Sequence, residues 1–145
     1  MMKRITRRGA IVLAVLISLR IVAGCMWPNL NINDVTTGVT AEYPDLQPQT
    51  FQQSYEEVFD AAVAVGREQG WEVTREDRAT GIIQAVATTR LWHFKDDVTA
   101  TITRTGERVK VSVRSHSRVG KGDLGANAQR IRLFQAALAK RLSGG

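Results

Sequence analysis

Cysteine occurs once in this chain, at Cys25, histidine twice, at His93 and His116, and proline three times, never beyond Pro48. A single thiol closes no intrachain disulfide, so whatever folds here is held by its core. Two distant histidines without further thiols offer no zinc-ligand spacing, and no metal or cofactor is expected. Also missing are a Ser-His-Asp pattern, a nucleophile elbow, a phosphate-binding loop and a dinucleotide fingerprint, which argues against the commonest enzyme classes. Long hydrophobic runs are absent too. Gly9 to Gly24 gives 16 residues interrupted by Arg20, short of the roughly 20 apolar residues that a spanning helix needs.

What that short run does fit is a secretory signal. Lys3, Arg4, Arg7 and Arg8 precede it, and it ends in Val22-Ala23-Gly24-Cys25, small residues ahead of a cysteine, the layout of a bacterial lipoprotein signal. Residues 1–24 are therefore expected to be removed, leaving a mature chain anchored in the membrane by fatty acyl groups on Cys25. This predicts a periplasm-facing cell-envelope protein. Met26 in place of Asp points to the outer membrane if the host has one.

The signal carries five of the 20 basic residues and none of the 14 acidic ones, so the net charge falls from +6 to near +1 on its removal. The basicity that would suggest a nucleic-acid partner largely disappears with it, and none is expected. The remaining charge is polarised: residues 25–100 hold five basic and 12 acidic side chains, residues 101–145 ten basic and two acidic. In a chain of one domain's length, this predicts two parts that pack together with complementary charge.

Residues 25–48, with all three prolines and few large apolar side chains, read as a tether, and residues 49–145 as a single domain. Ser54-Tyr55-Glu56-Glu57 forms a capping box, followed at helical spacing by Val58, Phe59, Ala62 and Val65 and stopped by Gly70, predicting a helix over 55–69. Trp71 to Glu76 and Gly81 to Thr89 are β-branched-rich stretches flanking a polar turn. Trp92, Phe94, Val98, Ala100 and Ile102 then alternate with polar residues, as do Val109, Val111 and Val113, predicting a sheet with one buried face. Leu124, Ala128, Ile131, Phe134 or Gln135, Leu138 and Leu142 predict a long helix over 124–142 with Asp123 as its cap. The fold class is α+β: an antiparallel sheet of four to five strands, one of them an edge near Thr50, with two helices on one face in the order (β)αββββα.

One residue breaks the alternation. Asp96 stands at an inward position while Asp97 points outward, and a carboxylate on a core face must be paired or protonated. Arg114, Arg118 and Arg130 are the candidate partners, with Ser115, Ser117 and Asn127 completing the hydrogen bonds. This predicts a lock between sheet and C-terminal helix. Gly120, Gly122 and Gly125 around Lys121 and Asp123 lead into that helix, and turn-and-cap duty is expected of them in preference to anion binding.

Three stretches, Gly70-Trp71-Glu72-Val73, Thr89-Arg90-Leu91-Trp92-His93-Phe94-Lys95-Asp96-Asp97 and Val113-Arg114-Ser115-His116-Ser117-Arg118-Val119-Gly120, the last running on through Asp123, Gly125, Asn127 and Arg130, resemble the domain-of-unknown-function family numbered 1499. The resemblance spans roughly residues 44–142. It implies that Arg90, the Asp96-Asp97 pair, Asp123 and the Arg114 to Arg130 groups belong to one polar pattern, and it implies no activity. The element order is similar to helix-grip domains. The leading expectation is a non-enzymatic envelope lipoprotein that binds a protein partner or stabilises an assembly. A second is a carrier or sensor of a small apolar or lipid ligand held between sheet and C-terminal helix; a third, an enzyme using Asp96, Arg118 and Arg130, ranks below both.

Overall fold

The computed structural model describes residues 32–90 and 93–144. The expectations for Cys25 and the rest of residues 1–31, and those for Leu91 and Trp92, lie outside the described residues. Six strands, β1 (Asp34–Thr36), β2 (Gln49–Phe51), β3 (Glu72–Asp77), β4 (Ile82–Thr88), β5 (Lys95–Thr105) and β6 (Arg108–Ser117), and two helices, α1 (Tyr55–Glu68) and α2 (Ala126–Ser143), make up the fold. Strands β3 to β6 form an antiparallel meander, and β1 and β2 both pair with the free edge of β6. Asp34 lies opposite His116 and Phe51 opposite Val109, so the two short strands act as one edge strand from which residues 38–48 bulge out.

Each element has a local cause. The capping box at α1 forms as expected: the Ser54 hydroxyl accepts from the Glu57 amide, and the Glu57 carboxylate accepts from the Ser54 amide at 2.9 Å. At the β3–β4 hairpin Gly81 has φ +73°, and an added Cβ would lie 2.0 Å from the Ile102 carbonyl oxygen, so only glycine fits. Helix α2 has its buried stripe at Ala128, Ile131, Phe134 and Leu138. Phe134 stacks on Trp71 with ring centroids 5.1 Å apart. Val58, Phe59, Val65, Val98, Ile102, Val111 and Val113 fill the layer between helices and sheet, each fully buried large side chain contributing roughly 1.5–3 kcal/mol.

The structure corrects four expectations. Residues 32–48 are not tether: Val35 and Leu46 are fully buried, Thr37 is buried, and Tyr43 packs on the core. The physical reason is the open edge of β6, whose backbone groups need partners that β1 supplies. Strand β5 begins at Lys95, and Phe94 is exposed instead of inward. Leu124 is not on the apolar stripe of α2; it is exposed, with φ +55°. Gly125, not Asp123, occupies the capping position, yet the Asp123 carboxylate still accepts from the amides of Gly125 at 2.8 Å and Asn127 at 2.6 Å, so it satisfies helix-start donors from just outside the cap.

The charge polarity has a structural counterpart. Of nine ion pairs among the described residues, six join an arginine of residues 101–145 to a carboxylate of residues 25–100: Arg104–Glu56, Arg114–Asp34, Arg118–Asp97, Arg130–Asp96, Arg132–Asp45 and Arg141–Glu68. Five of these six are solvent-exposed, where such pairs add little; Arg130–Asp96 is the buried one. Among the described residues no helix is long and apolar enough to cross a membrane.

Candidate functional site

The inner face of β6 changes chemistry along its length. Val109, Val111 and Val113 point into the core, and the same two-residue period then delivers Ser115 and Ser117, equally buried. On β5 the period carries Ile102, Ala100 and Val98 and ends on Asp96, which lies opposite Ser117 on one side and Ala87 of β4 on the other. Two residues of α2 one turn apart, Asn127 and Arg130, reach down onto this polar end.

The resulting network is closely satisfied. The Arg130 guanidinium donates through Nη2 to Asp96 Oδ2 at 2.5 Å and through Nη1 to Ser115 Oγ at 2.8 Å and Asn127 Oδ1 at 2.7 Å. Ser115 donates to Asn127 Oδ1 at 2.6 Å. The Asn127 amide donates to Ser117 Oγ at 2.8 Å and to the Asn33 carbonyl at 3.1 Å, which uses both its donors and its acceptor. The side chains of Asp96 and Arg130 are 2% and 11% exposed. Burying such a pair is weak support for stability on its own, because desolvation offsets the attraction. Among the described residues the second Asp96 oxygen, Oδ1, has no side-chain partner, and Asp96 lines a cleft.

The expected grouping of three arginines around Asp96 is therefore corrected. Only Arg130 reaches it. Arg114 lies on the outer face and binds Asp34, with Nε–Oδ1 at 2.9 Å, and Arg118 clasps Asp97 with both carboxylate oxygens 3.0 Å from Nε. The sheet separates the two sets, since successive residues alternate faces. Hydrogen bonding to Arg114 and Arg118, respectively, holds the carboxyls of Asp34 and Asp97 below the usual carboxylate range. Arg90 is exposed on the rim of a groove and forms no ion pair among the described residues. Asp123 spends its carboxylate on helix amides.

Among the described residues, the cavity enclosed by α1, β3 to β5 and Phe134 holds about 10 Å³, too little for a ligand. Open space lies instead at the polar end. A groove of about 620 Å³ runs between the α2 flank, at Ala126, Arg130, Leu133 and Ala137, and the end of β4, with Trp71 in its wall. A cleft of about 460 Å³ lies under the β6–α2 loop, lined by Phe94, Asp96, Ser117, Val119 and Leu124. Thr89 and Ala126 border both, and Arg130 lines the first and Asp96 the second. His93, at φ +52°, and Leu124, at φ +55°, are the non-glycine residues with positive φ among those described, and they sit on the two loops flanking this cleft. Such left-handed backbone costs energy and persists where surrounding structure demands it. Thr89, Ala126 and Leu133 were invisible to sequence reasoning as site residues, because small or apolar side chains carry no chemical signature.

The sequence model of a family described as protein of unknown function (DUF1499) matches residues 28–138. Among curated proteins no relative matches. Similar solved structures include TTHA0849 from Thermus thermophilus, at 12% identity and a TM-score of 0.41 over 77% of this chain and 97% of that one. Another is Ara h 8.0201, at 12% identity and a TM-score of 0.37 over 76% of this chain and 97% of that one.

Proposed function

We propose that this chain, which belongs to the DUF1499 family of proteins of unknown function, is a membrane-anchored envelope lipoprotein that binds, without transforming, a small molecule with an apolar body and a hydrogen-bond-donating end. The observation that carries the reading is a pair of neighbouring clefts, about 620 and 460 Å³, the second lined by the buried Asp96 carboxylate, whose Oδ1 has no side-chain partner among the described residues. Ligand sites commonly have this size and this mixture of apolar wall and few convergent polar groups. The anchor is supported by the Val22-Ala23-Gly24-Cys25 sequence.

The position of the two clefts supports a site at the end of the sheet, beside the C-terminal helix, over one at the centre of the sheet. Calorimetric titration of the mature chain carrying Cys25→Ser with decylamine, 1-decanol and decanoate, each below its micelle concentration, tests it. Saturable binding of the amine and the alcohol, weakened for the carboxylate that would face Asp96, is the expected result. Ala126→Trp, at a residue that borders both clefts, should abolish binding at an unchanged melting temperature. Absence of binding by all three, or an Ala126→Trp variant that binds as the parent does, contradicts the reading.

The partner-binding reading keeps one observation in its favour, the exposed Phe94, Val119 and Leu124 around the cleft. Crosslinking in cells followed by mass spectrometry tests it through the recurrence of one partner.

A further inference from the structure

Five large apolar side chains are exposed among the described residues, and three of them, Phe94 at 47%, Val119 at 58% and Leu124 at 70%, ring one cleft at one end of the domain. The first described residues lie at that same end. The Ile32 carbonyl accepts from the Asp123 amide at 3.2 Å, the Asn33 carbonyl from the Ser117 amide at 2.8 Å, and the Asn33 side chain donates to the Gly120 carbonyl at 2.7 Å. Ile32 is thus fixed against the β6–α2 loop that carries Val119 and Leu124. Only residues 26–31 separate it from Cys25, a span of at most about 25 Å.

Charge points the same way. Arg90, Lys95 and Lys121 are exposed around this end, and none forms an ion pair among the described residues. The carboxylates nearby are engaged: Asp34 by Arg114, Asp97 by Arg118, and Asp123 by helix amides. Exposed Glu72 is the acidic exception. Apolar side chains interleaved with exposed cations form a surface suited to an anionic bilayer, where apolar groups enter the interface and basic groups meet lipid phosphates.

We infer that this end of the domain is a membrane-contact face: the acylated Cys25 holds it within reach of the bilayer, and Phe94, Val119 and Leu124 insert at the lipid headgroup level. The inference rests on the lipoprotein reading above. It opens the cleft toward the bilayer, so that an amphiphilic ligand reaches Asp96 from the lipid phase and not from water.

The test uses the full mature acylated chain in vesicles of phosphatidylethanolamine and phosphatidylglycerol. With the Cys25 sulfur acylated, a nitroxide on Val119→Cys or on Glu107→Cys, in the hairpin turn at the opposite end of the sheet, is the sole label. Power-saturation electron paramagnetic resonance then compares accessibility to oxygen and to a water-soluble nickel complex. The expected result is a membrane depth reading at 119, an aqueous one at 107, and a shift of 119 toward water when Leu124→Asp is added. Because Leu124 is exposed, that change leaves the fold intact, as circular dichroism checks. An aqueous reading at 119 in an acylated sample overturns the docking, as does protection of 119 that appears only when envelope proteins are added. Intact mass of the same sample reads the acyl groups separately, and their absence overturns the anchor, not the chemistry of the face.

Discussion

The two halves of the inner sheet face share the same strands, the same period and the same degree of burial, yet they solve the problem of burial differently. Toward the β5–β6 turn, Ile102, Val109, Val111 and Val113 meet the helices with apolar surface alone. Toward the other end, Asp96, Ser115 and Ser117 are just as buried and meet Asn127 and Arg130 through directed hydrogen bonds. Beneath α1 the described cavity holds about 10 Å³, whereas the polar half borders grooves of about 620 and 460 Å³. A fold that needed only stability would lose little by continuing the valines, since well-packed apolar groups of similar volume often match or exceed a buried ion pair. That contrast is what the proposed binding role explains: the polar half gives up packing for recognition.

The largest expected effect breaks that half open. Arg130→Met leaves the Asp96 charge buried without its partner and should destabilise by about 3–5 kcal/mol in chemical denaturation. Adding Asp96→Leu to it should restore stability to near the parent or beyond while decylamine binding stays lost, which separates the structural part of the pair from its binding part. A smaller loss is expected from Asn127→Ala, about 1–3 kcal/mol, because Ser117 and the Asn33 carbonyl lose a shared donor.

The outer face supplies the weakest perturbation and the contrast. Asp34→Asn removes an exposed pair with Arg114 and should cost about 0.2–1 kcal/mol. Since Arg114 lowers the Asp34 pKa from its ordinary 3.8, the pair contributes above that value, and its contribution is lost as pH falls through the lower folded value. Amide protection factors at Thr37 and Ser117, each taken relative to the intrinsic exchange rate at the same pH, should therefore fall in acid in the parent, and less so in Asp34→Asn.

Much of this contrast was legible in the sequence. Period two placed Asp96 inward at a position bracketed by apolar neighbours, and the same parity applied to β6 places Arg114 outward and Ser115 and Ser117 inward. Choosing Arg130 from three arginines required the position of α2 over the sheet, a tertiary fact without local trace. β1 was hidden because three residues, Asp34-Val35-Thr36, lie in a stretch rich in Asn, Thr and Pro, and their pairing is dictated by the open edge of β6. Phe94 and Leu124 were misplaced because apolar periodicity assumes that large apolar residues face a core. Here they face outward beside the cleft.

Whether the polar end of the sheet is a binding site as well as a lock is decided by native mass spectrometry of the mature protein purified from its own membranes, parent beside Ala126→Trp. One reproducible bound species on the parent and none on the variant, with both folded, is the expected result. Ligand-free protein in both samples, or the same adduct on both, would contradict it.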